Sequence, residues 1–233
     1  MPSGIALAIW IVGMGAQVCF VTCSLIRGSF LRYFFLNLYV ILALFADLIR
    51  QAVLRFYGLD SPQYMYAYFY TDCLLTIALF VAVISLASRV FAELNLSRYV
   101  RLVAVLLLLG TAGFSYAVVA QSTDRLATRF AVELSQNLYF VGLVLTYLLW
   151  GAVLKLQETR TRLVQMVLSL GLYFSAYAGS YALLNLNLAP RFEIVQYLPP
   201  LIGCFLPISW AVTIMRHSED ARLTPARLVA VPR

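Results

Sequence analysis

The sequence predicts an all-α, polytopic membrane protein of seven transmembrane helices, with the N-terminus outside and the C-terminus cytoplasmic. Three observations lead there. Of the 233 residues, 63% are hydrophobic and only 12% charged, against about 25% charged in a soluble globular domain, and the mean hydropathy is +0.87. Apolar runs of the length a bilayer requires, about 20 residues, recur seven times between short polar links. Twelve of the 17 Lys and Arg fall in the links after spans one, three and five, at Arg216 ending span seven, and in the tail. Four (Arg55, Arg125, Arg129 and Arg191) fall on the other side, and Arg50 lies within a span. Basic residues gather on the cytoplasmic side, so the asymmetry sets the orientation.

The first span covers residues 4–26, and Arg27 and Arg32 follow it. The opening residues MPSG carry no basic group ahead of the apolar run, which is unlike a cleavable secretory signal. The second span covers 34–54. Turn-forming Asp60, Ser61 and Pro62 mark a loop over 58–63. The third span covers 64–88 and leads into a basic link over 89–101. The fourth covers 102–120, and a polar loop over 121–129 follows. The fifth covers 130–154 and ends at Lys155, with Arg160 and Arg162 in the link. The sixth covers 163–184, and its outgoing loop holds Pro190. The seventh covers 194–215 and contains Pro199, Pro200 and Pro207. Proline removes a backbone donor and bends a helix. A seven-span transmembrane domain over 1–216 and a short basic cytoplasmic tail over 217–233, expected to be disordered, account for the whole chain. The tail is too short for a kinase or cyclase.

The net charge of +7 does not indicate nucleic-acid binding, because the arginines are spread between apolar segments. Cys19, Cys23, Cys73 and Cys204 all fall within apolar spans, where free cysteine behaves as a small hydrophobe. Cys19 and Cys23 share a helix face, but two thiols without further ligands make a poor metal site. The one histidine, His217, lies in the tail, which excludes bis-histidine haem. The one lysine, Lys155, lies at the inner end of span five, which excludes a retinal Schiff base of the usual kind. No P-loop and no GxSxG occurs. No cofactor is expected.

The candidate site comes from ionisable residues at membrane depth, which cost free energy unless they face protein or water and have partners. The stretch 45–72, FADLIRQAVLRFYGLDSPQYMYAYFYTD, holds Asp47, Arg50 and Asp72. At 1.5 Å rise per residue, Asp47 and Asp72 lie roughly 10–12 Å below the outer ends of spans two and three, and Glu133 roughly 5 Å into span five. Arg50 follows Asp47 at i,i+3, so the two can pair on one face. Glu133, Gln136, Asn137 and Phe140 share a face of span five; Tyr68, Asp72 and Thr76 share one of span three; Tyr173, Tyr177, Ser180 and Tyr181 share one of span six. Buried amides and hydroxyls need partners that lipid lacks, so these faces are expected to turn inward. The expected ligand-binding set is Asp47, Arg50, Tyr68, Asp72, Glu133, Gln136, Asn137 and Tyr177. Three carboxylates and one arginine leave a surplus of negative charge, to be met by a proton or a cationic group. A plainer alternative stays open: an intrahelical Asp47–Arg50 pair, with Asp72 and Glu133 bonded to tyrosines or headgroups. For the tyrosine stripe of span six the plainer expectation is interhelical packing, and for Tyr57, Tyr64, Tyr66, Tyr68 and Tyr70 an interfacial belt. Gly110, Gly113, Gly171 and Gly179 are expected to allow close helix approach.

FLRYFFLNLYVILALFADLIRQAVLRFYG, then YMYAYFYTDCLLTIALFVAVISLASRVF, resembles an uncharacterised bacterial family of seven-helix integral membrane proteins abundant in acidobacteria. In that family a basic, aromatic motif precedes span two and a tyrosine-rich entry opens span three. This chain keeps Arg89, Val90 and Phe91 but has Ser85-Leu86-Ala87-Ser88 where the family carries an acidic residue. The resemblance covers mainly the first 100 residues. It implies seven helices and carries over no functional residue.

With neither nucleophile nor metal beside the acids, an enzyme is not expected. The expected protein is a non-catalytic, multi-pass inner-membrane protein, a sensor-like or accessory subunit with a polar pocket in the outer half of the bundle. Its expected partners are the lipid bilayer, other membrane proteins and a small cationic or amphiphilic ligand. The alternatives are a small proton-coupled transporter and a purely structural subunit of a membrane complex.

Overall fold

The structure, a computed structural model, describes residues 4–94, 97–120, 126–155, 161–185 and 198–218. Its elements are α1 (Gly4–Ile26), α2 (Phe34–Tyr57), α3 (Pro62–Val90) with a one-turn 3-10 segment (Phe91–Leu94), α4 (Ser97–Val119), α5 (Leu126–Lys155), α6 (Thr161–Asn185) and α7 (Leu198–Arg216). Helix closes its interior backbone hydrogen bonds within its own segment, which lipid requires. Six helices, α1 to α6, are long and apolar enough to cross a membrane, and α7 contributes a shorter apolar stretch, Pro200–Arg216. The expected start of span seven at 194, the loop with Pro190, the loop over 121–125 and the tail beyond 218 lie outside the described residues.

The ends of α1 and α2 and the start of α3 are closed by specific groups. At the end of α1, Gly28 takes φ 62°. Its N–H donates to Leu25 O at 3.0 Å, and the Ser29 N–H to Ser24 O at 2.9 Å. This is the paired bonding of a glycine helix stop. Between α2 and α3 the reversal takes only four residues. Gly58 adopts φ 80°, its N–H donating to Leu54 O at 3.0 Å. Ser61 Oγ donates to Gly58 O at 2.9 Å and accepts from Tyr64 N–H at 3.1 Å. Pro62 follows at the first helical position, where its missing N–H is not needed. The third helix therefore starts two residues before the expected span.

Six of the helices form a closed ring. α1 packs on α2 and α7, α7 on α6, α6 on α5, α5 on α3, and α3 on α2. α4 stands outside it, against α3 and α5. The apolar core fills one half of the ring, with Phe20, Leu36, Val40, Leu79, Val83, Leu86, Met166, Leu170, Leu206, Trp210 and Ile214 buried together. These residues come from the later part of α1, α3 and α7 and the early part of α2 and α6. At that same end Arg162 is only 4% exposed. Its Nη1 donates to Ser29 Oγ at 2.9 Å and its Nη2 to His217 O at 2.6 Å and Ile214 O at 3.3 Å. Arg27 Nη2 donates to Met215 O at 3.0 Å. The two guanidiniums satisfy the last carbonyls of α7 and meet the negative end of its dipole.

Close helix approach rests on glycines other than most of those expected. Gly171 does serve it, since a Cβ there would run into the Trp150 ring. Gly110, Gly113 and Gly179 have open space where a Cβ would stand, while Gly142 fits under Phe174. The three open positions face away from neighbouring helices, so their small size brings no backbones together.

Candidate functional site

The other half of the ring, where α1, α3 and α7 begin and α2 and α6 end, holds a cavity of about 340 Å³. Each of the six ring helices contributes to its wall and α4 does not. From α1 come Trp10, Gly13 and Gln17; from α2, Tyr39, Asp47, Arg50 and Gln51; from α3, Tyr64, Tyr68 and Asp72. α5 gives Tyr139, α6 gives Tyr173 and Tyr177, and α7 gives Pro200, Gly203 and Cys204. Two of its wall residues near this end, Leu7 and Tyr68, are also exposed on the bundle surface.

The polar residues are placed by helix register. Asp47 stands ten residues before the end of α2 and Asp72 ten residues after the start of α3. Both lie roughly 15 Å from the short reversal that joins these antiparallel helices. On α3, Tyr64, Tyr68 and Asp72 follow one another at i, i+4 and i+8 and so share one face. Tyr66 and Tyr70, whose rings stack with centroids 6.4 Å apart, are exposed on another face. The tyrosines around the reversal thus divide into cavity wall and bundle surface.

Asp47 accepts a hydrogen bond from Gln17 Nε2 of α1 at 2.9 Å. Arg50 does not direct its bonds to Asp47, contrary to the intrahelical pairing that i,i+3 spacing allowed. Its Nε donates to Thr71 Oγ1 at 2.7 Å and an Nη to Tyr68 O at 3.3 Å. Its guanidinium also lies 4.4 Å from the centroid of the Tyr68 ring. Across the α2–α3 interface it thus meets two acceptors and an aromatic face. Asp47, Arg50 and Asp72 remain in one enclosure, their charges separated by protein contacts rather than joined in a bridge.

Tyrosines form the opposite wall. The Tyr139 and Tyr177 rings stack at 5.2 Å with planes 5° apart, and the Tyr173 ring lies 4.7 Å from that of Tyr177. The Tyr39 and Tyr173 hydroxyls are 3.4 Å apart. Tyr173 and Tyr177 of span six are therefore cavity wall as well as packing. Pro207, inside α7, lacks the N–H that would bond the carbonyl four residues earlier, that of Gly203. Gly203 is itself a wall residue.

Of the eight residues expected to bind a ligand, the cavity brings together Asp47, Arg50, Tyr68, Asp72 and Tyr177. Glu133, Gln136 and Asn137 do not line it. Asn137 Nδ2 donates to Ser115 Oγ of α4 at 2.9 Å, and Gln136 and Phe140 are exposed. The polar stripe of α5 thus faces α4 and the outside of the ring. Tyr139 faces inward, roughly 200° around the helix from Asn137. Sequence periodicity identifies the stripe but not which neighbour it meets. Gln17, Tyr39, Tyr139, Tyr173 and Cys204 are wall residues outside the expected set. Gln17 had a usable signal, as an amide in a long apolar span.

Among the described residues no three His, Cys, Asp or Glu gather in a metal-holding group. No protein-family profile, curated protein or solved structure matches the chain.

Proposed function

We propose that this chain is a non-catalytic, seven-span protein of the bacterial inner membrane, N-terminus outside. In this reading it is a sensor-like or accessory subunit that binds a small cationic or amphiphilic solute in the ring cavity. One observation carries it: two carboxylates, one guanidinium and a tyrosine wall, supplied by four of the six ring helices, enclose a single space. Polar groups within a bilayer-embedded bundle mark a functional site by default. With both carboxylates ionised, the three charged groups sum to one negative charge, which favours a cation. The basic asymmetry places the cavity end on the outer side, and the resemblance to the acidobacterial family agrees with seven spans.

Transport, the second reading, needs access from the opposite end as well. There the aliphatic core and the Arg162 network occupy the ring, which supports one-sided access and hence binding over transport. A thermal-shift screen of cationic metabolites and lipids, run on wild type and Asp47→Asn, tests the proposal. At least one compound is expected to stabilise wild type and not the variant. A screen in which no compound separates the two proteins would refute it.

A further inference from the structure

The cavity wall contains an acceptor that no donor among the described residues reaches. Gln17 is 7% exposed and lines the cavity. Its Nε2 is used on Asp47 at 2.9 Å, and its Oε1 is buried without a hydrogen-bond partner. The amide cannot turn over to relieve this, because Oε1 would then face the Asp47 carboxylate, acceptor against acceptor. A buried acceptor left unmade costs about as much as a lost hydrogen bond. Since Nε2 and Oε1 share one carbon, the open acceptor stands beside the acid that would hold a positive charge.

Three features of a ligand follow. Charge calls for a cation, because with both carboxylates ionised Asp47 and Asp72 outnumber the one guanidinium, Arg50, whose donors are engaged by Thr71 and Tyr68. The Gln17 oxygen calls for an N–H donor. The rings of Tyr39, Tyr173 and Tyr177 suit an apolar or aromatic body and add a cation–π attraction. A primary ammonium meets all three, with three donors on one compact charge. A quaternary ammonium meets the first and third only.

We propose that the cavity selects a primary ammonium, seated between the Gln17 amide oxygen and the Asp47 carboxylate with its carbon body against the tyrosines. The selection rests on the cation-binding reading above and sharpens it. The test uses the full-length protein in nanodiscs and two probes, 2-phenylethylammonium and its N,N,N-trimethyl analogue. Calorimetric titration of wild type is expected to show the primary ammonium binding at least about tenfold tighter, the discrimination a site makes against an analogue lacking its hydrogen bond. In Gln17→Leu the preference is expected to shrink to within about twofold; in Gln17→Glu, which keeps an acceptor, it persists. The N-methyl and N,N-dimethyl analogues titrated on wild type are expected to lose affinity stepwise, which tests the idea even if the Leu variant does not fold. Equal binding of both probes to wild type, or a preference unchanged in Gln17→Leu, overturns the primary-ammonium assignment alone. Binding of neither probe overturns it together with the cation reading.

Discussion

Arg162 and Arg50 show how one residue type serves two purposes in this bundle. Both are partly or wholly buried guanidiniums, yet Arg162 gathers carbonyls at the end of α7 and Arg50 holds one side of the cavity. Replacing Arg162 with Met strips donors from Ser29, Ile214 and His217, and a loss of roughly 2–3 kcal/mol is expected from buried acceptors left unpaired. Arg162→Lys should recover only part of it, since an ammonium lacks the planar fork that reaches several acceptors at once. Thermal unfolding in detergent measures both, and a variant as stable as wild type would show that water replaces the guanidinium freely. For Arg162 the sequence supports only its part in the basic asymmetry. Its partners arrive from 55 residues later and 133 residues earlier in the chain.

Among the elements, the α2–α3 reversal and the α5–α6 interface depend on particular small residues. Ser61→Ala removes the cap of α3 and is expected to cost about 1 kcal/mol. Gly58→Ala forces a side chain into left-handed backbone and should cost about 1 kcal/mol as well. Both move Asp72 relative to Asp47, so any ligand that binds the cavity should bind less tightly in either. Gly171→Ala should destabilise by about 1–3 kcal/mol, since its methyl meets the Trp150 ring. Gly110→Ala, with open space at its Cβ, is expected to be neutral or to gain up to about 1 kcal/mol of helix propensity. Comparing the two melting temperatures separates packing glycines from open ones, and equal values would mean that Trp150 moves aside at no cost. The Ser61-Pro62 start is legible in sequence because the cap and its helix are adjacent. The packing glycines are not, because the ring above Gly171 comes from another helix.

For the whole molecule, the six-helix ring divides the bundle into a core half and a cavity half. The division follows from composition along each helix. The early part of α2 and α6 and the later part of α1, α3 and α7 offer apolar side chains that pack together. The opposite parts offer Asp, Arg, Gln and Tyr, which cannot close-pack without desolvating their polar groups. Asp60 in the α2–α3 reversal and His217 after α7 lie at opposite ends of the ring. In a background without native cysteines, a membrane-impermeant thiol reagent on intact cells is therefore expected to label Asp60→Cys and not His217→Cys. The reverse pattern would invert the proposed orientation, and labelling of both would contradict a protein that crosses the bilayer.

What the sequence determined by itself was local and one-dimensional. Hydropathy over about 20 residues sets where helices stand, caps set where they stop, and Asp47, Arg50 and Asp72 stand out because charge is rare in apolar text. Tertiary structure decided the azimuth of each helix and its neighbours. It put Gln17, Tyr173 and Tyr177 into the cavity wall, turned Glu133, Gln136 and Asn137 away, placed α4 outside the ring and gave Arg50 to α3 instead of Asp47. The physical reason is that a 3.6-residue period marks which side chains share a face but carries no information about what that face meets. That depends on how all the helices pack at once, each surrendering lipid contact for the partner that best fills its grooves and satisfies its polar groups.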